Sequence, residues 1–176
     1  MKNNTIKPLG KGEKTIFALT DFYGGGGQAL IGVVYFFFLT TVIKLSPALA
    51  GVVTLISEIW DAVSDQLMGI ISDNTRTKFG RRRPYLFIGG CLLAVAFALI
   101  FLPIEKMEET WKFIYCAATY LFYNTVSTII LVSYNGLSAE ISEKRSERDS
   151  ANVLRLVIST ASAAVCTLLP SIVLDA

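Results

Sequence analysis

Pro47 to Ser72 reads PALAGVVTLISEIWDAVSDQLMGIIS, a stretch of 26 residues that is long enough to cross a bilayer yet carries Glu58, Asp61 and Asp65. About 20 residues of helix span the hydrocarbon core. A carboxylate near the bilayer centre costs about 3 kcal/mol on insertion scales, so three cost about 9. The ten Val, Leu and Ile residues of the stretch return only about 3–6 kcal/mol. Hydropathy alone does not hold this segment in lipid. At 100° per residue, Thr54, Glu58, Asp61, Asp65 and Ser72 fall within an arc of about 60°, with Gly51 and Gly69 beside them. The acids share one stripe, and that stripe is expected to face protein or a water-filled cavity.

The neighbouring sequence makes the membrane reading secure. Phe22–Ile43, Tyr85–Ile104, Phe113–Ala139 and Leu156–Leu174 contain no charged residue, and each is long enough to span. The whole 176-residue chain is 53% hydrophobic and 17% charged, with a mean hydropathy of +0.54. The fold class expected is all-α, a polytopic bundle with spans at about 16–43, 47–72, 85–104, 111–138 and 151–174. A soluble tail at 1–15 precedes a single bundle at 16–176.

Lys and Arg set the expected orientation. The tail holds Lys2, Lys7, Lys11 and Lys14; the 73–84 loop holds Arg76, Lys78, Arg81, Arg82 and Arg83; the 139–150 loop holds Lys144, Arg145 and Arg148. Only Lys44, Lys106 and Lys112 lie on the opposite side, and Arg155 is left inside the fifth span. The N-terminus and both basic loops are therefore expected in the cytoplasm of a cell-membrane protein. The net charge of +2 is too small and too dispersed for a nucleic-acid binder.

Other chemistries find little support. Histidine is absent, which removes imidazole proton relays and Ser-His-Asp triads. Cys91, Cys116 and Cys166 sit in three separate apolar blocks without metal-ligand spacing, and read as core thiols. The GKGEK run at Gly10–Lys14 lacks the spacing and the Ser or Thr of a phosphate loop. No enzyme and no cofactor is expected.

Asp61 and Asp65 lie one helical turn apart, so their charges repel unless a cation or a shared proton lies between them. Carboxylates with hydroxyls such as Ser64 are hard oxygen donors suited to a monovalent cation such as sodium. The competing structural reading pairs these acids with Arg155. The fourth span adds Tyr120, Asn124, Ser127 and Thr128 at three- and four-residue steps, and the first adds Gln28 and Tyr35 beyond the glycine run Gly24–Gly27. Such groups suit a hydroxyl-rich solute or plain interhelical hydrogen bonding. The glycines allow a close helix approach or a bend.

From Trp60 to Pro84 the chain reads WDAVSDQLMGIISDNTRTKFGRRRP. This ordered set resembles the second helix and following loop of the glycoside-pentoside-hexuronide:cation symporters of the major facilitator superfamily. The likeness continues upstream through YGGGGQALIGVVYFFFLTTV and downstream through EISEKRSERDSANVLRL. It implies a secondary transporter that moves a sugar or glycoside with sodium or a proton by alternating access between two six-helix halves. It further implies a cation site at Asp61, Ser64, Asp65 and Thr128, and solute contacts that include Gln28 and Arg155. The helix-four face adds Tyr120 and Asn124 as solute candidates. Gly69, Asp73, Gly80, Arg81 and Arg82 match the superfamily's cytoplasmic loop signature, which implies gating.

The chain departs from the pattern at several places. Gln28 and Leu131 stand where melibiose-type carriers have acids, Gln66 stands for a proline, and Glu58 stands where an arginine is common. Five spans make only part of a six-helix half. The expectation is an N-terminal portion of a symporter that is not competent alone and lacks its remaining half. The alternative is a non-transporting regulatory or structural membrane protein derived from a truncated transporter.

Overall fold

The computed structural model describes residues 11–77, 80–104, 106–140 and 145–174; the tail to residue 10, Lys78 and Lys144 lie outside the described residues. Among the described residues every regular element is helical: α1 (Lys11–Phe22), α2 (Gln28–Phe37), α3 (Pro47–Asn74), α4 (Arg83–Ile100), α5 (Glu109–Glu140) and α6 (Arg145–Leu174). Two widened π-type turns, Tyr23–Gly27 and Phe38–Val42, continue the first span between and after α1 and α2. Five segments are long and apolar enough to cross a membrane: Thr15–Val42, Pro47–Asn74, Arg83–Ile100, Glu109–Leu137 and Arg145–Leu168. The all-α polytopic class expected from hydropathy is thus the class observed. Large apolar side chains such as Ile59, Ile70, Phe87 and Val157 are exposed, as suits helices whose outer surface meets acyl chains.

The helix ends have local causes. Pro47 stands at the first turn of α3, where its missing N–H costs nothing. Gln66, in place of a proline, keeps its N–H available, and α3 runs unbroken over 28 residues. α4 stops at Ile100, short of the expected 104, because Pro103 disfavours helix in the residue before it. α6 begins at Arg145, six residues before the expected span at 151, since Arg and Glu are good helix formers that hydropathy does not register.

Contacts divide the chain into two compact units. The first joins the described residues through Val33 to those from Ser138 onward. In it α1 and the Tyr23–Gly27 turn pack against α6. A Cβ on Gly26 would lie 2.9 Å from Ser162 Cβ and 3.0 Å from Cys166 Sγ, and one on Gly25 would collide with Ser159. The glycine run therefore serves close backbone approach. It also widens into a π-turn, a feature that hydropathy does not encode.

The second unit runs from Val34 to Leu137. Six rings form a closed cycle in its core. Tyr35 stacks on Tyr120 at 4.3 Å, Tyr120 on Tyr123 at 6.1 Å, and Tyr123 meets Phe97 edge-on at 5.5 Å. Phe97, Phe101, Phe38 and Tyr35 close the cycle at 6.4, 5.3 and 6.4 Å. Five of these separations lie within the favourable range of about 4.5–7 Å for aromatic pairs, and Tyr35–Tyr120 is slightly closer. Tyr35 Oη of this cycle donates to the Cys116 carbonyl at 3.1 Å, and Tyr115 Oη, outside the cycle, donates to the Leu99 carbonyl at 2.9 Å. Cys116 and Cys166 are buried, as expected, but Cys91 is exposed. That corrects its reading as a core thiol: α4 is apolar almost all round, so its sequence does not say which face turns inward.

Candidate functional site

The hydroxyls of α5 come to the acids of α3 within the second unit. Thr128 Oγ1 donates to Asp61 Oδ1 at 2.9 Å, and Ser64 Oγ lies 3.2 Å from Thr128 Oγ1. With the Thr128 proton directed to Asp61, Ser64 is the donor to Thr128. Ser64 also lies 3.2 Å from the Asp61 carbonyl. Ser64 and Thr128 are buried and Asp61 is half-buried. One turn above, Trp60 Nε1 donates to Thr125 Oγ1 at 2.9 Å and pins the same helix pair. A cavity of about 210 Å³ opens here, lined by Trp60, Ser64, Leu67, Thr125, Thr128 and Ile129.

Spacing explains the meeting of these residues. Trp60 and Ser64 on α3, and Thr125 and Thr128 on α5, recur at four- and three-residue steps, so each pair forms one ridge. Asp61 gains oxygen partners without gaining a cation from them. Hydroxyls lower the cost of burying a carboxylate but leave its charge in place. Asp65 is exposed in the chain, as is Glu58. The four candidate cation residues thus comprise a bonded triplet, Asp61, Ser64 and Thr128, with Asp65 one turn along. Among the described residues no group of three or more Asp, Glu or Cys is placed to hold a metal ion.

The solute candidates fall into both units. Tyr120 is buried in the aromatic cycle and Asn124 is half-buried on α5. Gln28 and Arg155 belong to the first unit, and both are half-buried. Arg155 forms an ion pair with Asp21, Nε to Oδ2 at 3.6 Å, with side chains 17% and 10% exposed. The structural reading that pairs Arg155 with the acids of α3 leaves Asp21 out, and so do the candidate site residues. The signal is present in the sequence: Asp21 lies inside the expected span 16–43, but it also borders the uncharged run that begins at Phe22.

The loop candidates gather at the end of α3. Asp73 and Arg82 form an ion pair. The Arg82 guanidinium covers Gly136, where any Cβ would collide with it. Gly80 has φ +103°, a conformation that a side chain strains, and the Thr77 hydroxyl donates to its carbonyl. Arg81 is exposed, and Gly69 is half-buried on α3. Asp73 and Arg82 are therefore joined by charge, and Gly80 is tied to Thr77.

Comparison with known proteins gives a consistent picture. The family described as MFS/sugar transport protein matches residues 16–176. An uncharacterized symporter of Synechocystis is 34% identical over 158 residues, covering 84% of this chain and 29% of its own length. A putative glycoside/cation symporter of Escherichia coli is 32% identical, covering 71% of this chain and 27% of its own length. A sodium-dependent lysophosphatidylcholine symporter of Mus musculus is 31% identical, covering 82% of this chain and 28% of its own length. The chain spans about a third or less of the length of these relatives.

Proposed function

This chain belongs to the MFS/sugar transport protein family, a family of membrane transporters rather than enzymes, and from that premise we propose that it supplies the cation-coupling part of a symporter for a sugar or glycoside. The observation that carries the reading is the hydrogen-bonded triplet of Asp61, Ser64 and Thr128. An aspartate in a membrane span that accepts from hydroxyls offers hard oxygens to a small cation. Asp65, one turn away, adds a second carboxylate. Sodium or a proton is the coupling ion, a transported substrate and not a cofactor.

The solute side rests on Gln28, Tyr120, Asn124 and Arg155. Amide, phenol and guanidinium groups suit a hydroxyl-rich molecule, in line with the family's description. The basic loops favour a cytoplasmic N-terminus. In that orientation Asp73, Gly80 and Arg82, with Gly69 and Arg81, lie at the cytoplasmic end, where breaking the Asp73–Arg82 pair accompanies opening.

The test is uptake by the full transporter under an imposed sodium or proton gradient. Asp61→Asn and Asp65→Asn are expected to abolish stimulation by the gradient. If both variants keep cation-stimulated uptake, the coupling assignment is wrong.

A further inference from the structure

A third side-chain hydrogen bond joins α3 to α5 beside the two that link Asp61 and Ser64 to Thr128. Trp60 Nε1 donates to Thr125 Oγ1 at 2.9 Å, and Thr125 directs its own proton to the Leu121 carbonyl at 2.8 Å. An indole N–H can only donate, and the Thr125 oxygen, its proton committed, accepts. Although the Trp60 ring is 42% exposed, its N–H ends on Thr125. Trp60 directly precedes Asp61, and Thr125 precedes Thr128 by three residues. At a rise of about 1.5 Å per residue, this bond lies about 5 Å along the helices from the Ser64–Thr128 contact. One bond lets two helices roll and slide about it; two bonds a turn apart restrain both motions. On the same flank the Trp60 ring, Leu67, Met68, Ile71 and Ile129 line the cavity against Ser64 and Thr128. An apolar flank sheds water and strengthens the polar contacts it borders.

We propose that Trp60 is a positioning residue for the coupling ion: through Thr125 it fixes the spacing of α3 and α5 at which Asp61, Ser64 and Thr128 present their oxygens to sodium together. The inference rests on the reading of that triplet as the cation site. A proton needs one oxygen, whereas a hard metal cation gathers several. Asp61 and Ser64 come from α3 and Thr128 from α5, so sodium affinity depends on how the two helices are held. Removing a group that supports metal ligands from behind weakens affinity about 10–100-fold. Trp60 acts through one neutral bond and belongs at the low end of that range.

The experiment is equilibrium binding of sodium to the purified full transporter, read both as affinity and as the number of sites per protein. Trp60→Phe keeps an aromatic ring on the cavity wall and removes the N–H; Thr125→Val keeps the shape and removes the acceptor. Each is expected to weaken sodium binding about tenfold with the number of sites unchanged. The double variant should bind no more weakly than either single one, since both remove the same bond. Thr125→Ser, which retains the hydroxyl, should restore the wild-type affinity. Unchanged affinity in Trp60→Phe or Thr125→Val overturns the proposal, and so do effects that multiply in the double variant or a wild type that binds no sodium. A fall in the number of sites with affinity unchanged marks a merely structural contact and also overturns it. Should Trp60→Phe fail to accumulate, Thr125→Val against Thr125→Ser decides by the same criteria. The two readings fail separately. Sodium binding that Asp61→Asn leaves intact sinks the cation-site reading and this inference with it; binding that requires Asp61 but ignores Trp60 and Thr125 sinks this inference alone.

Discussion

Asp21 and Asp61 are the same residue type in membrane-spanning helices, and the two units satisfy them in opposite ways. Asp21 meets a guanidinium at 3.6 Å, while Asp61 meets the Thr128 hydroxyl at 2.9 Å. The first carboxylate has its counter-charge supplied by the protein, so its local charge is closed. The second has hydrogen bonds but no protein cation among those contacts. Burial without charge compensation is costly. A site that bears this cost is suited to a mobile positive ion, which on the proposed reading would bind where a resident arginine would otherwise sit.

The largest expected effect tests that contrast directly. Asp61→Asn should lower gradient-driven uptake about a hundredfold or more, because the replacement removes the only formal charge of the bonded triplet. Next in size is Thr128→Val, which keeps the shape and deletes the hydroxyl. A hydrogen bond to a charged group is worth about 1.5–3 kcal/mol, so the cation concentration for half-maximal uptake should rise about tenfold or more. Thr128→Ser should recover most of that loss. If Thr128→Val leaves the cation dependence untouched, the hydroxyl does not belong to the site.

Two smaller effects concern the scaffold. Gly26→Val forces a side chain into the contact with Ser162 and Cys166, and overpacking of this kind costs about 1–3 kcal/mol. Thermal unfolding of the detergent-solubilised protein should show it. The same substitution at the exposed Gly32, where a Cβ would meet nothing within 4 Å, should not. The smallest change is at Lys44, which adopts φ +58° just after the first span. Lys44→Gly removes left-handed strain and adds backbone entropy to the unfolded chain, leaving a net gain of about 0.5 kcal/mol.

Much of this arrangement is legible in the sequence because the bilayer imposes strong rules. Uncharged runs of 19 to 27 residues identify four of the spans, and the acids of Pro47–Ser72 identify the span that cannot face lipid. The stripe calculation groups Asp61 with Asp65 by periodicity, which is local information. It does not identify Thr128 as the partner of Asp61, since that bond depends on how two helices pack; the family resemblance supplies Thr128. Asp21 escapes notice for a related reason. Its partner lies far along the chain, and a charge at the edge of an apolar run reads as a boundary. The glycine run announces close approach, but not the π-turn that accompanies it.

Equilibrium binding of sodium and of protons to the purified full transporter tests the central claim most directly, with Asp61→Asn compared against Glu58→Gln. Glu58 is an exposed acid on the same helix, one turn away, so it controls for acidity without the hydroxyl contacts. A bound cation is expected in the wild type and in Glu58→Gln, and none in Asp61→Asn. Undiminished cation binding by Asp61→Asn would contradict the account.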